Sequence, residues 1–425
     1  MLLRRPLARS CLVALVALVA LAARAASAQE PYARLIADVL PRVEQAVGLP
    51  FKHPPRFEVH SRAELYRHLA RMLEGERPAA ELAAEQRVMR IFGVIPDTLD
   101  WHALQLRILA EQVVGFYDPA TKVLYLEDEP DDPTLGIVIP HELVHALQDQ
   151  YLDLDSLASV KGDDDRVLAA QAALEGQATL VSFEVALGMG QDFPGGADAI
   201  RESVQEEMAE APVLSGAPLF VREVEIFPYL GGLDFMIRFQ RERPGRQPFG
   251  ADLPTSSAQI LHPSSYFQVP RKEPLRVALP SPGSGALVCD NTFGELGTRA
   301  LLEQLLRDRK RAARAANGWS GDHFALVSTA AGDAVAWLTV WETPADAAEF
   351  AEAVRRVAAA RYAHPRVQRD GAATRYAGAE RAIVVWSGTV DGRAAVLYED
   401  QPVGARGDLL DLAQVRVTDA GAPAR

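Results

Sequence analysis

The chain has 425 residues, 48% hydrophobic and 24% charged, with a formal net charge of −13. That composition excludes a disordered chain, and the acidic balance leaves no electrostatic reason to bind nucleic acid or anionic lipid. With only Cys11 and Cys289 present, a disulfide framework is excluded as the basis of the fold.

The first 28 residues stand apart. Arg4, Arg5 and Arg9 precede an apolar run from Cys11 to Ala23, and Ala26-Ser27-Ala28 supplies a cleavage site of the A-x-A kind. This is the pattern of a secretory signal peptide, with a run too short to span a bilayer comfortably. Cleavage removes four Arg and no acid, which takes the formal charge to −17 and leaves Cys289 as a lone, apolar-type residue. A secreted or periplasmic location is therefore expected. Residues 29–55 are open to reading as a pro-segment. No later segment reaches 18 uninterrupted apolar residues, so no membrane span is expected after cleavage.

Tyr32 to Val47 reads as a helix interrupted by Pro41. Arg56–His60 is strand-like, and Ser61-Arg62-Ala63-Glu64 is a capping box opening a helix to about Glu74. Helices follow over Pro78–Phe92 and Leu99–Gln112. Val113–Tyr117 and Lys122–Leu126 form a hairpin around Asp118-Pro119-Ala120-Thr121. Asp132-Pro133 starts a helix running to about Tyr151, and the acidic loop Gly162–Asp165 precedes a long helix from Arg166 to about Leu187. Pro280–Gly285 reads as a linker. Beyond it the pattern predicts a basic helix over Leu296–Ala316, strands over Phe324–Ser328 and Ala334–Trp341, a helix over Pro344–Ala360, and strands over Arg381–Ser387 and Ala394–Tyr398. Gly318–His323 reads as a turn-rich cluster, and Trp337 and Trp341 fall on one strand face as core residues. The order suits a small α+β domain with an antiparallel sheet. The expected division is thus 1–28 signal peptide, 29–279 catalytic domain and 286–415 C-terminal domain.

The chemistry centres on His141-Glu142-Leu143-Val144-His145. On a helix, residues i and i+4 share a face, so both imidazoles can bind one Zn²⁺. Glu142 flanks the metal and can take a proton from the water that the metal activates. A catalytic zinc needs a third protein ligand. The pattern HExxHxxGxxH is excluded, because Gln148 stands at its Gly and Tyr151 at its third His. Glu175, within Ala172-Ala173-Leu174-Glu175-Gly176-Gln177 on the next long helix, is the leading candidate, since a carboxylate among apolar neighbours needs a partner. Asp153, Asp155, Glu184 and His262 are rivals. Gly176 suggests that this helix closely approaches the metal helix.

HExxH followed by a Glu on a later helix resembles the gluzincin group of zinc metallopeptidases. The chain more closely resembles a set of bacterial metallopeptidases, through Val114-Gly115-Phe116-Tyr117-Asp118-Pro119, His141 to Gln150, Ala173 to Ala178 and Ser256-Ser257-Ala258-Gln259-Ile260-Leu261-His262-Pro263. These pieces cover roughly residues 110–270. The resemblance implies a zincin-like, mainly helical catalytic domain with a small β-sheet, and peptide-bond hydrolysis. His141, His145 and Glu175 would be the ligands and Glu142 the general base. Gluzincins often carry an Asp four residues after the ligand Glu. Thr179 stands there instead, which turns attention to Asp149 as the residue that orients a histidine. Pro140 should kink the metal helix or mark its start.

An oxyanion would need a donor, for which His262, Tyr266, Tyr229 and Tyr151 are candidates, with His262 placed among the catalytic residues. The Val113–Tyr117 strand could pair with an extended substrate. The expected function is an exported zinc metallopeptidase acting on a peptide or protein substrate. A zinc amide hydrolase of cell-wall peptides and an envelope binding protein with a vestigial metal site are the alternatives.

Overall fold

Tyr32, Ile36, Val39, Val43 and Val47 recur at helical spacing, and all five are buried on one face of a continuous helix, α1, over residues 29–47. Pro41 does not interrupt it, contrary to expectation. It lies on the exposed face, as does residue 37, so the carbonyl it leaves unpaired faces water, while the buried stripe holds the helix together. The computed structural model describes residues 29–76, 78–158, 160–188, 196–405 and 408–419. The expected signal peptide lies outside them.

The remaining elements of the first half are β1 (Arg56–His60), α2 (Arg62–Glu76), α3 (Ala79–Phe92), α4 (Trp101–Gln112), β2 (Gly115–Asp118), β3 (Val123–Glu127), α5 (Leu135–Tyr151), α6 (Leu154–Ala158) and α7 (Asp164–Leu187). Next come α8 (Gly196–Glu210), α9 (Pro212–Ser215), α10 (Leu219–Glu242), α11 (Ser257–Leu261), α12 (Pro263–Phe267) and β4 (Leu275–Ala278). The last third holds β5 (Ala286–Asn291), α13 (Gly294–Leu306), α14 (Arg309–Ala316), β6 (Trp319–Thr329), β7 (Gly332–Trp341), α15 (Pro344–Arg361), β8 (Arg366–Asp370), β9 (Ala373–Ala377), β10 (Arg381–Val390), β11 (Arg393–Pro402) and β12 (Arg416–Asp419). The protein is α+β. Among the described residues, no helix is long and apolar enough to cross a membrane.

Residue contacts divide the chain into two units. The first comprises residues up to Leu69, Val113–Tyr151 and Val181–Phe193. Its sheet has the order β1-β3-β2, with β1 parallel and β2 antiparallel to the central β3. All five residues of β3 are buried, as a central strand requires. The β2–β3 turn is closed by Asp118, whose carboxylate accepts from Ala120 N–H and Thr121 Oγ1 and meets His68 Nε2. Ser61 opens α2 with its N–H donating to the Glu64 carboxylate, one half of the capping box.

The second unit comprises Ala70–Gln112, Leu152–Leu180 and Pro194–Arg425. Its seven-stranded antiparallel sheet has the order β5-β6-β7-β11-β10-β9-β8. One face packs under helices, with Trp337, Trp341 and Phe350 in its core. The other face is covered by β4, paired to β12, and by Leu409, Leu410 and Val415. The Pro280–Gly285 segment joins β4 to β5.

Two expectations change in this unit. The single helix over Leu296–Ala316 is two helices, because Arg307 adopts φ 55 and Asp308 starts α14 by accepting from the Arg311 N–H. The Gly318–His323 cluster is not turn-rich: Trp319 onward is strand β6, with only Gly318 in a left-handed conformation. Asp322 explains the local sequence. It is buried and accepts from Phe293 N–H, Gly294 N–H, Trp319 Nε1 and Trp337 Nε1, so one carboxylate ties β6, β7 and the start of α13 together.

Candidate metal centre

Helix α5 carries the HELVH sequence, starting five residues before Pro140 and running through it. Pro140 would have bonded Gly136, which lies in the exposed first turn, so its free carbonyl faces water. Leu143, Val144, Ala146 and Leu147 are buried on this helix, which fixes its rotation and sets the alternate face.

On that face His141 Nε2 and His145 Nε2 stand 3.1 Å apart, with their rings nearly perpendicular. Two nitrogens on one tetrahedral zinc at about 2.0–2.1 Å would be separated by about 3.3 Å. The donor set therefore fits. One ligand atom from each of His141, His145 and Glu175 lies within 4.8 Å of the others, a grouping that could hold a metal ion, and all three residues are half-buried.

Gln148 strengthens the fit. Its Oε1 lies 2.9 Å from His145 Nδ1, and the amide is fully buried. An acceptor at Nδ1 keeps the proton there, which leaves the lone pair of a neutral imidazole on Nε2. Sequence reasoning met Gln148 only as a residue that breaks another pattern. The signal was present: a residue at i+3 from a candidate ligand histidine shares its helix face.

Glu142 is held from outside its helix. Its Oε2 accepts the backbone N–H of Tyr117 at 2.7 Å. Tyr117 is on β2, and its phenol donates to Asp149 Oδ2, also at 2.7 Å. Burial raises the Tyr117 phenol well above its usual range, and the Asp149 hydrogen bond adds to that. Asp149 also pairs with Lys122 at 2.8 Å. Asp149 thus links the helix to the hairpin, and the contact at His145 Nδ1 comes from Gln148.

Gly176 corrects an expectation. A Cβ there would meet the backbone of Gly232 on α10 at 2.1 Å, so its bare backbone admits α10. The rival ligands have other surroundings. Asp153 accepts from Ser156 N–H at the start of α6, and Asp155 is exposed in its first turn. Burial pushes the Glu184 carboxyl up to about 7. His262 lies between α11 and α12, with Nε2 2.6 Å from Glu295 Oε1. That hydrogen bond raises its pKa against the opposing effect of burial. Among the other candidate donors, the Tyr266 hydroxyl donates to the Asp252 carbonyl and that of Tyr151 to the Pro50 carbonyl, while Tyr229 is half-buried on α10. Burial pushes the Cys289 thiol up to about 11, which leaves it protonated and inert near neutrality.

Residues 286–406 match the family model of a domain of unknown function, DUF8575. No curated protein and no solved structure matches the chain.

Proposed function

We propose that this protein is an exported zinc-dependent metallopeptidase with a zincin-like catalytic domain. One observation carries the reading: the two α5 imidazole nitrogens converge to 3.1 Å while the intervening Glu142 carboxylate is fixed by the Tyr117 N–H. His141, His145 and Glu175 would hold the metal. Zinc, when bound, would polarise the scissile carbonyl and bring the pKa of water toward about 7.

Glu142 takes the proton of the attacking water and returns it to the leaving amine. Gln148 keeps His145 in the ligating tautomer. Among the described residues β2 pairs in its sheet with β3 alone, so its outer edge, apart from the Tyr117 N–H held by Glu142, would receive an extended peptide. The segment 1–28, with its n-region, apolar run and A-x-A site, supports export.

The test separates binding from chemistry. Glu142→Gln is expected to retain one zinc per chain by elemental analysis and to lose hydrolysis of a mixed peptide library. Glu175→Ala is expected to lose the zinc. Full metal occupancy in Glu175→Ala would remove Glu175 from the ligand set. Undiminished turnover in Glu142→Gln would remove the mechanism.

A further inference from the structure

Four arginines of this acidic chain collect around one cavity. The cavity has a volume of about 810 Å³ and lies within the second unit. Arg90, Arg307, Arg309 and Arg361 line it, against Asp97 and Glu303 as the lining acids. Val94, Ile95 and Pro218 contribute an apolar wall.

Two of the arginines are tied to backbone carbonyls, and the other two are exposed. Arg307 occupies the left-handed region at φ 55, a conformation that favours glycine. Arg309 opens the run Arg309-Lys310-Arg311 in the first turn of α14, where the helix dipole disfavours cations. Among the described residues, neither Arg307 nor Arg309 forms an ion pair. Arg361 is held over the end of α3, donating through Nη2 to the Arg90 carbonyl at 3.1 Å. Its guanidinium fills the space where a Cβ on Gly93 would lie. Arg90 donates to the Leu99 carbonyl, yet its Nε is buried with no hydrogen-bond partner. That N–H is buried away from the cavity, whereas Arg90 as a residue lines it. Glu303 does not neutralise the cluster, because burial raises its pKa toward the neutral form.

We propose that this cavity is a binding site for a small anion bearing phosphate or carboxylate groups, separate from the metal centre. Guanidinium forks match both groups in bidentate fashion. Preorganisation by the α3 terminus and the α13–α14 break reduces the ordering needed on binding. The volume suits a ligand of metabolite size.

Isothermal titration of the full chain with pyrophosphate, and separately with citrate, at constant ionic strength tests this. One saturable site per chain is expected, and whichever probe binds more tightly assigns the phosphate or the carboxylate class. Arg307→Gly suits the backbone there and should leave the melting temperature unchanged while weakening binding about tenfold. Arg309→Gln, on an exposed first turn, should weaken it similarly. Absence of saturable binding for both probes overturns the proposal. So does wild-type affinity in the doubly substituted chain. Neither result bears on the metal centre, because the readout is heat of binding and involves no hydrolysis.

Discussion

The backbone N–H of Tyr117 and the carboxylate of Glu142 meet at 2.7 Å across 25 residues of sequence. The contact makes strand β2 the positioning element for Glu142, the base of the proposed mechanism. Glu142→Asp keeps the charge but withdraws the carboxylate by one methylene, out of reach of that N–H. It is expected to keep zinc and to lower kcat by about 100-fold, the scale of a misplacement of roughly 1 Å. Steady-state kinetics with parallel metal analysis checks it, and a kcat within a few-fold of wild type would show that the Tyr117 contact does not position the base.

Gln148 should matter through the metal. Gln148→Leu preserves volume in a fully buried place but removes the acceptor for His145 Nδ1. Zinc affinity is expected to fall by about 10–100-fold, the usual effect of losing a partner of a ligating histidine. Gln148→Glu retains an acceptor and should recover most of it. Competition with a chelating indicator measures both, and equal affinities for the Leu and wild-type proteins would dismiss the role.

The α7–α10 crossing is a backbone contact. A Cβ on Gly232 would lie 1.9 Å from the Ala172 carbonyl oxygen, so neither helix can yield by turning a side chain. Gly232→Ala is expected to destabilise the fold by about 3 kcal/mol or to prevent folding. Gly136→Ala meets nothing within 4 Å and should stabilise α5 by about 0.5–1 kcal/mol. Urea midpoints of the two variants should move in opposite directions.

Buried acids set the pH dependence of stability. Burial raises Asp165 to about 8, opposed by its Ser257 hydrogen bonds and reinforced by Asp322 and Asp163. An unfolded Asp titrates near about 3.9. The folded state therefore holds a proton that the unfolded state has lost between those two values. Asp165 contributes most fully below about pH 4, and that contribution is lost as pH rises through about 8. Its share of the slope is at most about 1.4 kcal/mol per pH unit. Glu225 and Glu399, both raised to about 7 by burial, act in an overlapping window. Asp165→Asn should flatten the decline between pH 5 and 8, followed by urea titration at several pH values. An unchanged slope would show that Asp165 is ionised in the folded protein.

Much of this protein is legible from local pattern. The helix over Tyr32–Val47 (apart from the expected break at Pro41), the β2–β3 hairpin around Asp118, the α5 helix and the α15 start at Pro344 follow from periodicity and turn chemistry, which depend on neighbours in sequence. The HELVH spacing alone puts two imidazoles and a carboxylate on one helix. The break at Arg307 was not legible, since a non-glycine residue at positive φ carries no compositional signal. Nor was β6 over Trp319–His323, whose glycines read as turns until Asp322 is seen buried beneath two indoles.

By itself, then, the sequence set the candidate ligand types, their spacing on α5 and the residue proposed as base, because the 3.6-residue repeat is a local rule. Tertiary structure decided what holds them. The Tyr117 N–H at Glu142, the burial of Gln148 against His145 and the assignment of Gly176 to α10 are relations between atoms far apart in the chain or fixed by packing, which no local repeat encodes.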